Sequence, residues 1–154
     1  MTDKGIRWKW DTIPHLLTTI LGSIIMFLHS IPMGIFYLLV TIIGMFWFWG
    51  FICTRCRAYG HPSCPSGYGM ISSRFFKRKD GDFGQAFKRN IFSVTLQWFI
   101  PLGVGIYDII FDADPIRIAL LIVFILVAFV YLPLAARKKG CDSCPQKGDC
   151  PWKR

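Results

Sequence analysis

Residues 32–56 read PMGIFYLLVTIIGMFWFWGFICTRC. From Pro32 to Ile52 there is no charged side chain, and the run matches the ~20 apolar residues that a helix needs to cross a bilayer. Directly after it come Cys53 and Cys56, set among Thr, Arg and Tyr. The stretch therefore joins two features: a membrane span, and a pair of thiols at the point where that span leaves lipid.

Working outward, three further apolar runs have span-like length. One covers residues 14–29, with Trp8 and Trp10 just ahead as interfacial anchors. Pro14 is expected in its first helical turn, where a missing N–H costs nothing. Ser30-Ile31-Pro32 leaves room only for a tight turn before the second span, residues 32–52. A third run covers 91–111 and contains Pro101, Gly103 and Gly105; a fourth, 116–135, follows the turn Asp112-Ala113-Asp114-Pro115. The expected fold is all-α and integral to the membrane: four transmembrane helices arranged as two hairpins in a single membrane domain of 154 residues.

Composition agrees. Hydrophobic residues make up 53% and charged residues only 18%, whereas a soluble domain carries about 25% charge. Disorder is excluded, because it needs low hydrophobicity. No small-residue cleavage site follows the first apolar run, so a removable signal peptide is not expected. The acidic residues are all Asp, with no Glu, for which there is no physical account.

The basic residues orient the chain. Of the 18 Lys and Arg, all but Arg117 lie in residues 1–11, in the loop 53–90 or in the tail 136–154. Both termini, the loop and the tail are therefore expected on the cytoplasmic side of a prokaryotic-type plasma membrane. The net charge of +9 follows from that topology and suits anionic headgroups. Nucleic acid is not an expected partner, since no basic domain or binding motif is present.

All six cysteines fall in the loop and the tail. The first set is Cys53, Cys56 and Cys64, spaced C-x2-C-x7-C with His61 between; the second is Cys141, Cys144 and Cys150, spaced C-x2-C-x5-C. Polar surroundings argue against thiols that merely pack as small hydrophobes, and a reducing compartment argues against a disulfide framework. Paired C-x-x-C motifs there point to metal ligation or dithiol chemistry. Two ligand sets are open. Cross-pairing joins Cys53 and Cys56 to Cys141 and Cys144 in the tetrahedral thiolate shell that structural zinc prefers. Alternatively Cys53, Cys56, His61 and Cys64 form a local site, which resembles a zinc knuckle with its last spacing two residues shorter.

An iron–sulfur cluster is the other cofactor expectation, because Cys64, Cys144 and Cys150 each precede Pro, as the last ligand of bacterial ferredoxin motifs does. Soft thiolates suit zinc and iron alike, and the spacing does not choose between them. Around the ligands, Pro65-Ser66-Gly67-Tyr68-Gly69 supplies fixed and permissive backbone positions in one tight stretch.

Weaker signals complete the reading. His15 and His29 lie about 21 Å apart on one helix, a spacing that would suit two stacked haems, but both sit at span ends where a histidine reaches water. Asp108, near the end of the third span, is likewise expected to reach the interface. Segments 73–79 and 83–92 read as basic amphipathic stretches lying on the leaflet. Phe46-Trp47-Phe48-Trp49 is an interfacial belt that would also suit a quinone beside the cysteines.

The expected function is a small membrane subunit with a thiolate metal site, zinc or iron–sulfur, working with other membrane subunits and the bilayer. With iron–sulfur the role is electron transfer; no catalytic residue is assigned. The alternative is a membrane thiol–disulfide oxidoreductase. In architecture the chain is similar to the bacterial disulfide-forming quinone reductases and vitamin K epoxide reductase, whose residue patterns it does not match. A heavy-metal transporter of the mercury-uptake type ranks last, since no cysteine lies within a span.

Overall fold

A computed structural model of the chain describes residues 4–64, 66–135, 144–146 and 148, with side chains described from Ile13 onward. The described residues are helical throughout their ordered elements: α1 (Lys4–His29), α2 (Ile31–Phe51), a 3₁₀ turn (Cys53–Arg55), α3 (Tyr68–Phe75), α4 (Phe83–Asn90), α5 (Phe92–Phe111), α6 (Pro115–Ile125), a π-helical stretch (Leu126–Tyr131) and α7 (Leu132–Ala135). Three segments are long and apolar enough to cross a membrane: Ile31–Arg55, Phe83–Phe111 and Pro115–Ala135. The apolar part of α1, Ile13–His29, is shorter.

The ends of these helices follow from local chemistry. Ser30 alone separates α1 from α2. Its backbone is extended, its hydroxyl accepts from the Met33 N–H at 3.4 Å, and Pro32 occupies the first turn, where no N–H is needed. Asp114 and Pro115 repeat the device at α6, the carboxylate accepting from the Ile116 N–H at 3.1 Å. At α4, Asp82 caps through the Gln85 N–H at 2.8 Å.

One expectation is corrected here. Pro14 does not open α1 but lies inside it. The residues ahead of it continue helically, so the ring costs one main-chain hydrogen bond in mid-helix rather than marking a start. Segment 73–79 begins in the last turn of α3 and continues outside it. α3 ends at Phe75, and the chain then runs back along the end of α2, with the Lys79 N–H bonded to the Thr54 carbonyl at 3.2 Å. The Lys79 ammonium lies 4.7 Å over the Phe51 ring, a cation–π contact that no helical repeat would produce.

α1 and α5 form the centre of the bundle. α1 packs against α2, α5 and α6, and α5 against α1, α2 and α6. Much of what α1, α2 and α5 bury is small or polar, with Ile25 and Met26 on α1 the large apolar additions: Thr18 on α1; Gly34, Tyr37, Thr41 and Gly44 on α2; Ser93, Gln97, Pro101, Gly105 and Asp108 on α5. The faces they expose carry Leu16, Ile20, Ile35, Leu39, Ile43, Phe99, Ile106 and Ile110. A soluble core inverts this pattern. In lipid it is the favourable one, because apolar groups lose nothing by facing acyl chains, and small residues let backbones approach closely. A conventional apolar cluster of Ile25, Leu121, Phe124 and Ala128 closes the α1–α6 contact.

Pro101 shows how the interior is kept satisfied. Lacking an N–H, it leaves the Gln97 carbonyl one turn earlier without its helical donor. The buried Tyr37 hydroxyl donates to that carbonyl at 3.0 Å across the α2–α5 contact, and the Gln97 amide in turn donates to the Thr41 carbonyl at 3.3 Å. A similar conflict lies near the end of the apolar segment Pro115–Ala135. Pro133 would press its ring against the Phe129 carbonyl in an α-helix, and the chain widens to π spacing over Leu126–Tyr131, with the Leu132 N–H reaching back to the Val127 carbonyl.

Two glycines on these helices make opposite demands. A Cβ at Gly44 would lie 2.6 Å from the Ser93 carbonyl oxygen, whereas one at Gly103 meets nothing within 4 Å. Gly44→Ala is therefore expected to destabilise the bundle by about 1–3 kcal/mol. Gly103→Ala should stabilise it by up to about 1 kcal/mol through helix propensity. Unfolding of both variants in detergent, followed by circular dichroism, checks the opposite signs.

Candidate functional site

The loop after α2 winds tightly around its cysteines. The Thr54 hydroxyl and the Arg55 guanidinium bond the Gly50 and Phe51 carbonyls at 3.0 and 2.7 Å, so α2 ends in a firm cap with Cys53 buried at its tip. From there successive turns follow: Cys56 N–H to the Cys53 carbonyl, Tyr59 to Cys56, His61 to Ala58, Cys64 to His61 and Gly67 to Cys64. Gly60 and Gly67 take positive φ of +70° and +71°. The chain closes on itself where the Gly60 N–H meets the Gly69 carbonyl at 3.0 Å. Any side chain at Gly69 would stand 2.4 Å from the Ala58 carbonyl oxygen.

The winding turns main-chain donors toward sulfur. The Ala58 N–H points at Cys56 Sγ at 3.5 Å, and the Gly69 N–H at Cys64 Sγ at 3.3 Å. Cys53 lies within electrostatic reach of both Cys56 and Cys64. Tyr68, at the start of α3, feels Cys53 and Cys64; burial first, and then those sulfurs, push its hydroxyl upward from the ordinary tyrosine value.

His61 stands apart from this group. It is exposed, and its Nδ1 lies 2.8 Å from the Ser63 hydroxyl and accepts from the Ser63 N–H at 3.2 Å. A ligating imidazole keeps its other nitrogen protonated as a donor, which the Ser63 amide opposes. Among the described residues no three ligating side chains converge at metal-binding distance. Cys141 and Cys150 lie outside the described residues. The tail is nevertheless tied to the loop: Gln146, two residues beyond Cys144, is buried, and its side-chain oxygen accepts from the Arg57 N–H, next to Cys56, at 2.9 Å.

Aromatic rings attach the loop to the helix ends. Tyr68 is surrounded by His15, Phe48 and Trp49, with ring centroids 6.1, 6.1 and 6.2 Å away. The Ser72 hydroxyl donates to the Trp49 carbonyl at 2.9 Å. On the neighbouring side the Trp47 indole donates to Asn90 Oδ1 at 3.0 Å, fixing α4 where it runs through Ile91 into α5.

At the opposite end of the bundle lies a polar constellation that the sequence analysis placed differently. His29 and Asp108 are not separate groups reaching water. Asp108 is buried, and its Oδ1 lies 2.7 Å from His29 Nδ1. Arg117 approaches Asp108 at 3.9 Å and the exposed Asp112 at 3.5 Å. Ile25, Leu28, Gly105 and Leu120 complete a narrow cleft with room for about one water molecule. Hydropathy treats each span alone and so misses a pair formed between α1 and α5. The available signal was Arg117, the one basic residue outside the basic segments, beside a carboxylate one turn inside a span.

No family model, curated protein or solved structure matches the chain.

The close His29–Asp108 contact and the loose Arg117 contacts should separate energetically. Asp108→Ala is expected to cost about 1–3 kcal/mol by leaving His29 without its partner. Arg117→Ala should cost less than about 1 kcal/mol, as half-exposed ion pairs do. A double-mutant cycle in detergent should give a coupling above about 0.5 kcal/mol for His29 with Asp108. A coupling near zero would mean that the contact contributes nothing to holding α1 on α5.

Proposed function

We propose that this chain is a small integral membrane protein, of four spans in two hairpins, that holds a metal in a thiolate site built between its loop and its tail. Under the charge bias of the flanks, both termini and that site face the cytoplasm. The ligands are Cys53 and Cys56 from the loop with Cys144 and its C-x-x-C partner Cys141 from the tail; Cys64 and Cys150 are the remaining thiols available to the site. The metal is zinc or an iron–sulfur cluster. As zinc it staples α2 to the end of the fourth span; as a cluster it carries electrons to or from partners in a membrane complex.

The observation that carries this reading is the hydrogen bond from the Arg57 N–H to Gln146. It links the residue after Cys56 to the residue two beyond Cys144, a link that cross-pairing of loop and tail would use. Main-chain N–H groups directed at the Cys56 and Cys64 sulfurs support it further, as the turns of a ligand loop direct them. The geometry of His61 favours the cross-paired set over the local one. A membrane dithiol oxidoreductase remains the second reading, supported by the proximity of Cys53 to Cys56 and Cys64.

Anaerobic purification of the full chain, with zinc, iron and acid-labile sulfide measured per protein, tests the proposal. Bound metal is expected in the wild type and lost in Cys53→Ser, Cys56→Ser and Cys144→Ser. His61→Ala should retain it. A broad absorption near ~400 nm bleached by dithionite identifies the cluster, and colourless zinc the staple. Metal retained in Cys144→Ser but lost in His61→Ala would overturn cross-pairing, and metal-free wild type would overturn the site.

A further inference from the structure

Two cations converge on one residue, Phe51, where α2 ends. The Arg55 guanidinium donates to the Phe51 carbonyl at 2.7 Å and to the Asp80 carbonyl at 3.3 Å, and the Lys79 ammonium lies 4.7 Å over the Phe51 ring. That ring stacks on Trp47 at 4.5 Å between centroids. Trp47 in turn meets Asn90 through its indole N–H at 3.0 Å and Phe92 at 6.4 Å between centroids. These contacts place the two cations at the corner where the ends of two membrane-length apolar segments, Ile31–Arg55 and Phe83–Phe111, come together. Lys77 and Arg78 precede Lys79, Lys88 and Arg89 precede Asn90, and all four are exposed. The opposing carboxylates are Asp80 and Asp82, and Asp82 caps α4. The corner is cationic.

From that corner an apolar seam runs along the two helices. Ile43 and Trp47 lie one turn apart on α2, Phe92 and Leu96 one turn apart on α5, so each pair shares a helix face; these side chains are 41–62% exposed. Between the pairs the helices touch at Gly44 and Ser93. We propose that Arg55 and Lys79 hold the phosphate of one anionic phospholipid whose acyl chains lie along this seam. Cations at the head of an exposed apolar strip match an amphiphile with a negative head, and basic sites where helices leave the bilayer take such headgroups. The aromatic rings stand at the headgroup level. A free phosphate would satisfy the cations and leave the seam unused, whereas a zwitterionic headgroup would bring its own positive charge against Lys79. The inference rests on the membrane-spanning part of the proposed function and is independent of the metal.

Native mass spectrometry of the purified full chain in nonionic detergent tests this, with phosphatidylglycerol, phosphatidylcholine of the same acyl chains and glycerol phosphate as ligands. Phosphatidylglycerol should bind saturably and about 5-fold or more tightly than phosphatidylcholine, the equivalent of one cation at a charged surface. Lys79→Gln should weaken that binding by about 5-fold, and Lys79→Arg should keep it. Arg117→Gln removes the same charge at the opposite end of the bundle, beside Asp108, and should bind as the wild type does. Lys79 carries the test because it is exposed, whereas Arg55 also caps α2. Equal binding of the two lipids, or equal losses in Lys79→Gln and Arg117→Gln, would overturn the site. Displacement by glycerol phosphate at the lipid's own affinity would overturn the lipid as occupant. Carbonate washing of the source membranes separates the two readings. A chain retained in washed membranes without the lipid preference overturns this inference alone, and a chain released by washing overturns the membrane-spanning reading with it.

Discussion

Within the hydrocarbon core of a bilayer a backbone carbonyl has no water to turn to, and every deviation from regular helix must be answered from inside the bundle. The hydroxyl of Tyr37 on the Gln97 carbonyl is such an answer. It lets α5 carry Pro101 at its centre, and it anchors α2 on α5 at the level where both helices bury their smallest side chains. Gly22 lies beneath the same hydroxyl, where a Cβ would come within 2.5 Å of it. α1 is thereby brought against the pair. The close approach of three helices follows from one polar contact and the small residues around it.

Once that centre is set, the two ends of the bundle are free to differ. One end is a winding loop rich in thiols, glycines and rings, held by main-chain hydrogen bonds and by the tail glutamine. The other is a short capped turn with a histidine, two aspartates and an arginine. The intervening apolar cluster of Ile25, Leu121, Phe124 and Ala128 separates the polar ends.

Much of the architecture was legible in the chain. Uncharged runs flanked by Ser30-Ile31-Pro32 and Asp114-Pro115 locate α2 and α6 to within a residue or so, because capping and proline chemistry act locally. The thiol loop was legible through spacing. What was not legible depends on contacts between distant residues. Nothing local marks His29 as the partner of Asp108, 79 residues away, or Gln146 as the partner of Arg57, 89 residues away. Pro14 misled for a related reason: the interleaved Lys, Arg and Trp before it read as a flank, yet they continue the helix.

The single residue between α1 and α2 bears on how the chain enters the membrane. The apolar part of α1 is the shortest of the four and has a proline and a histidine near its ends, so on its own it is a weak candidate for insertion. α2 is long and uncharged. With only Ser30 between them, the two cannot partition independently, and the environment of α1 is set by where α2 lies. Lengthening that linker would uncouple the halves and leave α1 to depend on its own hydrophobicity.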